Sequence, residues 1–133
     1  MSAGFDHNRT SLLIAIMEKR LGLNLQGEDI FINIAGGLKI SEPAVDMGVA
    51  AAIAGSFRNR SVDPHTVMIG EVGLTGEVRS VMQLEARLTE AERLGFKKCV
   101  VPHSIKEDRL LNKNSSLRLV PVKTLSEAFD AVF

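Results

Sequence analysis

The chain has 133 residues, and 16 Lys plus Arg offset 16 Asp plus Glu to a formal net charge of zero. That balance excludes a basic tail that binds polyanions by bulk charge and leaves phosphate to local basic faces. A hydrophobic fraction of 45% with 24% charged residues fits one globular domain, expected to span 1–133. At this size roughly two-thirds of the unfolded surface becomes hidden, enough for a core without disulfide or metal.

The elements alternate along the chain. Asn8 or Thr10 caps an expected helix to about Leu21, with Leu12, Leu13, Ile16, Met17 and Leu21 on one face and Gly22 as its stop. Ile30 to Ile34 reads as a strand ending at the Gly36-Gly37 turn. Ser41 is placed to cap a helix from Pro43 to about Ala54, whose small apolar residues predict burial all round. Val67 to Glu71 is a further strand, and Val72 to Val78, with two glycines, is a hairpin turn. An amphipathic helix follows from about Gln83 to Leu94, facing the core with Leu84, Leu88 and Ala91 and stopped by Gly95. Cys99 to Val101 is a buried strand closed by Pro102. A short helix near Ile105 to Leu111, a strand Leu117 to Val122 and a helix Leu125 to Val132 complete an α/β pattern, a mixed sheet covered by helices.

Several chemistries find no support. No apolar run approaches the ~20 residues that span a bilayer, so no membrane contact is expected. The N-terminus lacks a basic region followed by an apolar core, so no secretory signal is expected. No Gly-rich loop ending in Gly-Lys-Ser/Thr is present to hold nucleotide phosphates. The lone cysteine, Cys99, excludes an internal disulfide framework and a multi-cysteine zinc site; a reducing compartment, the cytoplasm, is the expectation. Its place inside an apolar strand makes it a small core residue rather than a nucleophile. His7, His65 and His103 are dispersed, so neither metal nor cofactor is expected in this domain. No Gly-x-Ser-x-Gly elbow occurs, and Ser41 reads more naturally as a cap than as a nucleophile. Among the carboxylates Asp46, Glu71, Glu77 and Glu85, spacing alone brings no acid/base pair together. Glu85 reads as solvated on a helix face. Asp46 differs, being the one charge in an otherwise apolar helix and lying in the first turn, where the backbone dipole favours an anion.

The run from Met68 through Gly-Glu-Val-Gly-Leu-Thr-Gly-Glu-Val-Arg to Glu85, continued from Leu94 to Pro102, resembles the proteolytic domain of Lon proteases without a gap. Upstream, Val45-Asp46-Met47-Gly48-Val49 falls on the Lon segment that carries the nucleophile. The resemblance implies a Lon proteolytic-domain-like fold, yet the Lon serine falls on Asp46 and the catalytic lysine on Glu85. A serine hydrolase without hydroxyl or lysine base has no route to an acyl-enzyme, so no catalytic residue is expected.

Three further motifs resemble the RadA (Sms) family of bacterial DNA-repair proteins: Asn8-Arg9 with Leu12-Leu13, Asn33 with Gly36-Gly37 and Lys39, and Gly70 to Arg79. The family's zinc finger, RecA-like ATPase and Lys-Asn-Arg-Phe-Gly motif have no counterpart here, so the likeness is to its C-terminal third. It implies a parent that is a DNA-dependent ATPase using ATP, Mg²⁺ and Zn²⁺, acting with RecA in branch migration of recombination intermediates. It also implies a hexameric ring of identical chains and contact with single-stranded or branched DNA. The basic residues on or near these motifs, Arg9, Lys39, Arg58, Arg60 and Arg79, are the DNA-contact candidates. The rival readings are a peptidase with a shifted nucleophile such as Ser41, and an oligomerisation module without DNA contact. No aromatic interleaving favours base stacking, since Trp and Tyr are absent.

Overall fold

In the computed structural model the described residues are 2–23, 42–105 and 115–133, with the backbone alone for 2–10. The expected strand Ile30 to Ile34, the Gly36-Gly37 turn, Lys39, Ser41 and the expected short helix from residue 106 onward lie outside them.

Helix α1 spans Ser2–Leu21. It begins six residues before the Asn8 expected to cap it, because no proline interrupts the preceding stretch and a cap-competent residue stops nothing by itself. Its buried positions are Leu13, Ile14, Ile16 and Met17, whereas Leu12 is exposed, so the buried stripe is turned by about a residue from the expected one. Lys19 and Arg20 lie in its last turn, where the helix dipole favours cations, and Gly22 takes the left-handed conformation after it.

A 3-10 turn, Pro43–Val45, leads into helix α2, Asp46–Arg58. The Glu42 carboxylate accepts a hydrogen bond from the Ala44 N–H, at 3.3 Å. Helix α2 runs past Ala54 and stops at Asn59, which is left-handed with φ 55°. Burial is one-sided, against expectation. Asp46, Met47, Ala50, Ala51, Ile53 and Ala54 are buried, while Val45, Ala52 and Ser56 face outward. Small side chains make a face apolar, but only a neighbouring element covers it. The outward face instead borders a cavity of about 760 Å³.

Strands β1 (Thr66–Met68), β4 (Lys98–Pro102) and β5 (Arg118–Val122) form a parallel sheet in the order β1-β4-β5. A separate antiparallel ribbon pairs β2 (Glu71–Val72) with β3 (Val78–Arg79). Among the described residues the two are distinct, not one mixed sheet. The expected strand Val67 to Glu71 breaks at Ile69-Gly70 because the Gly70 peptide is used elsewhere. Gly70 N–H donates to Ala44 O at 3.0 Å, and Gly70 O accepts from Met47 N–H at 3.4 Å, so this peptide grips the start of α2. A Cβ there would come within 2.8 Å of the Met47 side chain and 2.9 Å of Val78.

Helix α3 (Leu84–Arg93) and helix α4 (Leu125–Val132) match their expected bounds closely. Thr124 accepts the Glu127 N–H at 3.1 Å, an N-terminal cap, while the Glu127 carboxylate accepts the Lys123 N–H at 3.2 Å just before it. The sheet divides two apolar clusters. One joins α1, α2 and α4 to Met68, Val100 and Val122. The other joins Leu88 and Ala91 of α3 to Ile69, Cys99, Val101 and Leu117. Alternation along β4 sends Val100 to the first and Cys99 and Val101 to the second, which is why this central strand is apolar throughout.

Candidate functional site

Asp46 is fully buried at the first position of α2. Its Oδ2 accepts the Val72 N–H at 3.0 Å, tying the helix start to the β2–β3 ribbon. A cavity of about 160 Å³ beside it is lined by Leu12, Leu13, Glu71, Val72 and Arg79 among others. Asp46 therefore acts as a cross-brace between two elements. Glu85 is exposed in the first turn of α3 and does not line this cavity. Cys99 is buried, and loss of solvation pushes its thiol up to about 12, so no thiolate forms near neutral pH.

The ribbon's turn is organised by Glu77. Gly73 N–H donates to Glu77 O at 2.8 Å, Gly76 N–H to Gly73 O at 2.9 Å, and Gly76 has φ 82°. The Glu77 carboxylate accepts the Thr75 hydroxyl and N–H and both Arg79 Nε and Nη2, the last at 2.7 Å. The Thr75 hydroxyl bond first, and Arg79 second, hold the Glu77 carboxyl down at about 2. The same Glu77 hydrogen bond raises the Arg79 guanidinium further. Arg79, a candidate for DNA contact, is thus also the clamp on this turn.

Arg58 and Arg60, at the end of α2, meet the end of α4. The Arg58 Cζ lies 5.9 Å from the ring centroids of both Phe129 and Phe133, and the Arg60 Cζ 5.7 Å from Phe133. Arg60 Nη2 donates to the Phe133 carbonyl at 3.1 Å, and Lys98 Nζ to that of Ala131 at 2.8 Å. Three cations so converge on a helix C-terminus, where the dipole favours them, and each cation–π contact at an exposed site contributes about 0.5–1 kcal/mol. Arg9 lies on the backbone of α1, and Lys39 falls outside the described residues. Of the three candidates whose side chains are described, Arg58 and Arg60 share the end of α2 and Arg79 stands on the ribbon.

Sequence reasoning missed the cations that begin the strands, Lys97, Lys98 and Arg118. The signal was present, since a basic or histidine residue stands at or before the start of each parallel strand: His65, Lys97-Lys98 and Arg118.

Comparison with known proteins gives two results. Proteins named DNA repair protein RadA are similar over most or all of the chain. That of Halalkalibacterium halodurans is 46% identical over 133 residues, covering 98% of this chain and 28% of the relative. That of Streptococcus pneumoniae is 42% identical over 132 residues, covering 99% and 31%. That of Bacillus subtilis is 52% identical over 102 residues, covering 77% and 22%. The chain spans less than a third of the length of these relatives and corresponds to a RadA-related region. A protein-family profile described as "Subunit ChlI of Mg-chelatase" matches residues 7–105, which takes in most of α1, then α2, β1, the ribbon, α3 and β4. On that match the chain belongs to the family described as subunit ChlI of Mg-chelatase.

Proposed function

We propose that this chain is a non-proteolytic, Lon-like module of a RadA-type DNA-repair protein, serving as a scaffold for self-assembly and helping to hold DNA. The observation that carries the reading is the 41–52% identity to proteins named DNA repair protein RadA. The buried brace at Asp46 supports loss of proteolysis: where the Lon-like resemblance puts a nucleophile, a carboxylate is sealed from solvent and bonded to Val72. The parent protein, on this reading, is a cytoplasmic ATPase that uses ATP and Mg²⁺, carries a Zn²⁺ finger, and works with RecA in branch migration. Hexameric assembly belongs to the same proposal. The profile's description names a magnesium chelatase subunit, and among the described residues no group of three His, Cys, Asp or Glu is placed to hold a metal ion.

Exchanging this chain for the matching region of the Bacillus subtilis RadA protein tests the reading. The chimera is expected to restore survival after DNA damage, to sediment as a higher oligomer, and to leave unfolded casein intact. Survival no better than that of a deletion, or casein cleavage that Ser41→Ala abolishes, overturns it.

A further inference from the structure

Resting on the reading that the chain holds DNA, we propose that the edge where the three parallel strands begin is a docking surface for the phosphodiester backbone, with Lys97 and Arg118 its principal contacts.

Register builds this surface. Thr66, Lys98 and Arg118 are Cα partners across β1, β4 and β5, so the three strands start in one row. The main chain laces the preceding residues into the same edge. Lys97 N–H donates to His65 O at 2.9 Å, and Arg118 N–H to Lys97 O at 2.9 Å. His65, Lys97 and Arg118 are exposed, and Lys97 and Arg118 enter no ion pair with any described residue. Lys98 continues the row toward the end of α4, where its ammonium and the Arg60 guanidinium sit on the carbonyls of Ala131 and Phe133. Arg58 and Arg60 remain exposed there while packed on the Phe rings. Residues as far apart in sequence as Arg58 and Arg118 thus lie along one basic band.

Three acids qualify the band. The Asp63 carboxylate accepts the His65 N–H at 2.9 Å, and Glu92 accepts hydrogen bonds from Ser115 and Ser116. Asp130 is exposed on α4.

With neither Trp nor Tyr in the chain, the surface offers charge and donors but no stacking platform. It suits sequence-independent contact with phosphate.

Fluorescence anisotropy of the chain with labelled oligo-dT and with a labelled duplex tests this. Lys97→Gln with Arg118→Gln is compared with Lys19→Gln with Arg20→Gln, an equal change of charge at the end of α1. The edge variant is expected to weaken binding about tenfold at low salt. It should also flatten the slope of log K against log salt by about 1.8 for duplex or about 1.4 for single strand. The larger effect identifies which form is held, and the α1 variant should stay within about twofold of the parent. Lys97→Gln alone, outside any strand, should show half the slope change and guards against misfolding of the double variant. Edge variants that bind like the parent overturn the proposal and leave the DNA reading standing. Polyglutamate competing charge for charge with DNA overturns it in favour of an acidic peptide. Absence of binding by the parent chain at low salt removes the proposal and the DNA-holding reading together.

Discussion

Two carboxylates shape the ribbon in opposite ways, one from inside the protein and one from its surface. Asp46 is sealed in and satisfies the Val72 N–H. Asp46→Ala leaves that buried donor without its acceptor, a loss expected to cost about 1–3 kcal/mol, read as a lower midpoint in urea denaturation with an unchanged slope. Glu77 stands in solvent with its carboxyl held at about 2 by Thr75 and Arg79, against an ordinary 4.5. A carboxyl depressed in the folded state stabilises fully above its unfolded value and loses that contribution as pH falls through the folded one. The melting temperature of the parent chain should therefore exceed that of Glu77→Gln by a constant amount above about pH 5. The gap should close between pH 4.5 and about 2; a gap that persists at pH 2 contradicts the assignment.

At the scale of elements, the end of α2 is a tightly constrained join. Arg60 N–H returns to Gly55 O at 2.8 Å, and a Cβ on Gly55 would lie 2.6 Å from Arg60 O and 3.5 Å from the Phe133 ring. Gly55→Ala is expected to destabilise by about 1–3 kcal/mol through overpacking. The loss should show in thermal melts, in contrast to Gly95→Ala, which meets nothing within 4 Å and is strained only by its φ of 93°. Helices α3 and α4, strands β4 and β5, and the ribbon were legible in the sequence because apolar period and glycine punctuation are local properties. The start of α1, the open face of α2 and the break at Gly70 were not. Each depends on a neighbour: what lies along the helix, what covers it, or which helix captures the peptide. The site divides along the same line. Asp46 was conspicuous as a lone charge in an apolar helix, whereas the row of His65, Lys97 and Arg118 required the parallel register.

Among the described residues of the whole molecule, two apolar clusters lie on opposite faces of a three-stranded sheet, and β4 belongs to both. It also has a partner on each edge, β1 on one side and β5 on the other. Its backbone is thereby shielded in four directions, and no opening of a single layer exposes it. Deuterium entering the peptide groups of Cys99, Val100 and Val101 should then meter the global unfolding free energy. At Thr75, in the exposed turn of the ribbon, exchange should proceed by local fraying and outpace them by orders of magnitude. The middle of β4 is thus the molecule's slow clock, and ligands that bind the folded chain anywhere on its surface should slow it, whichever layer they touch.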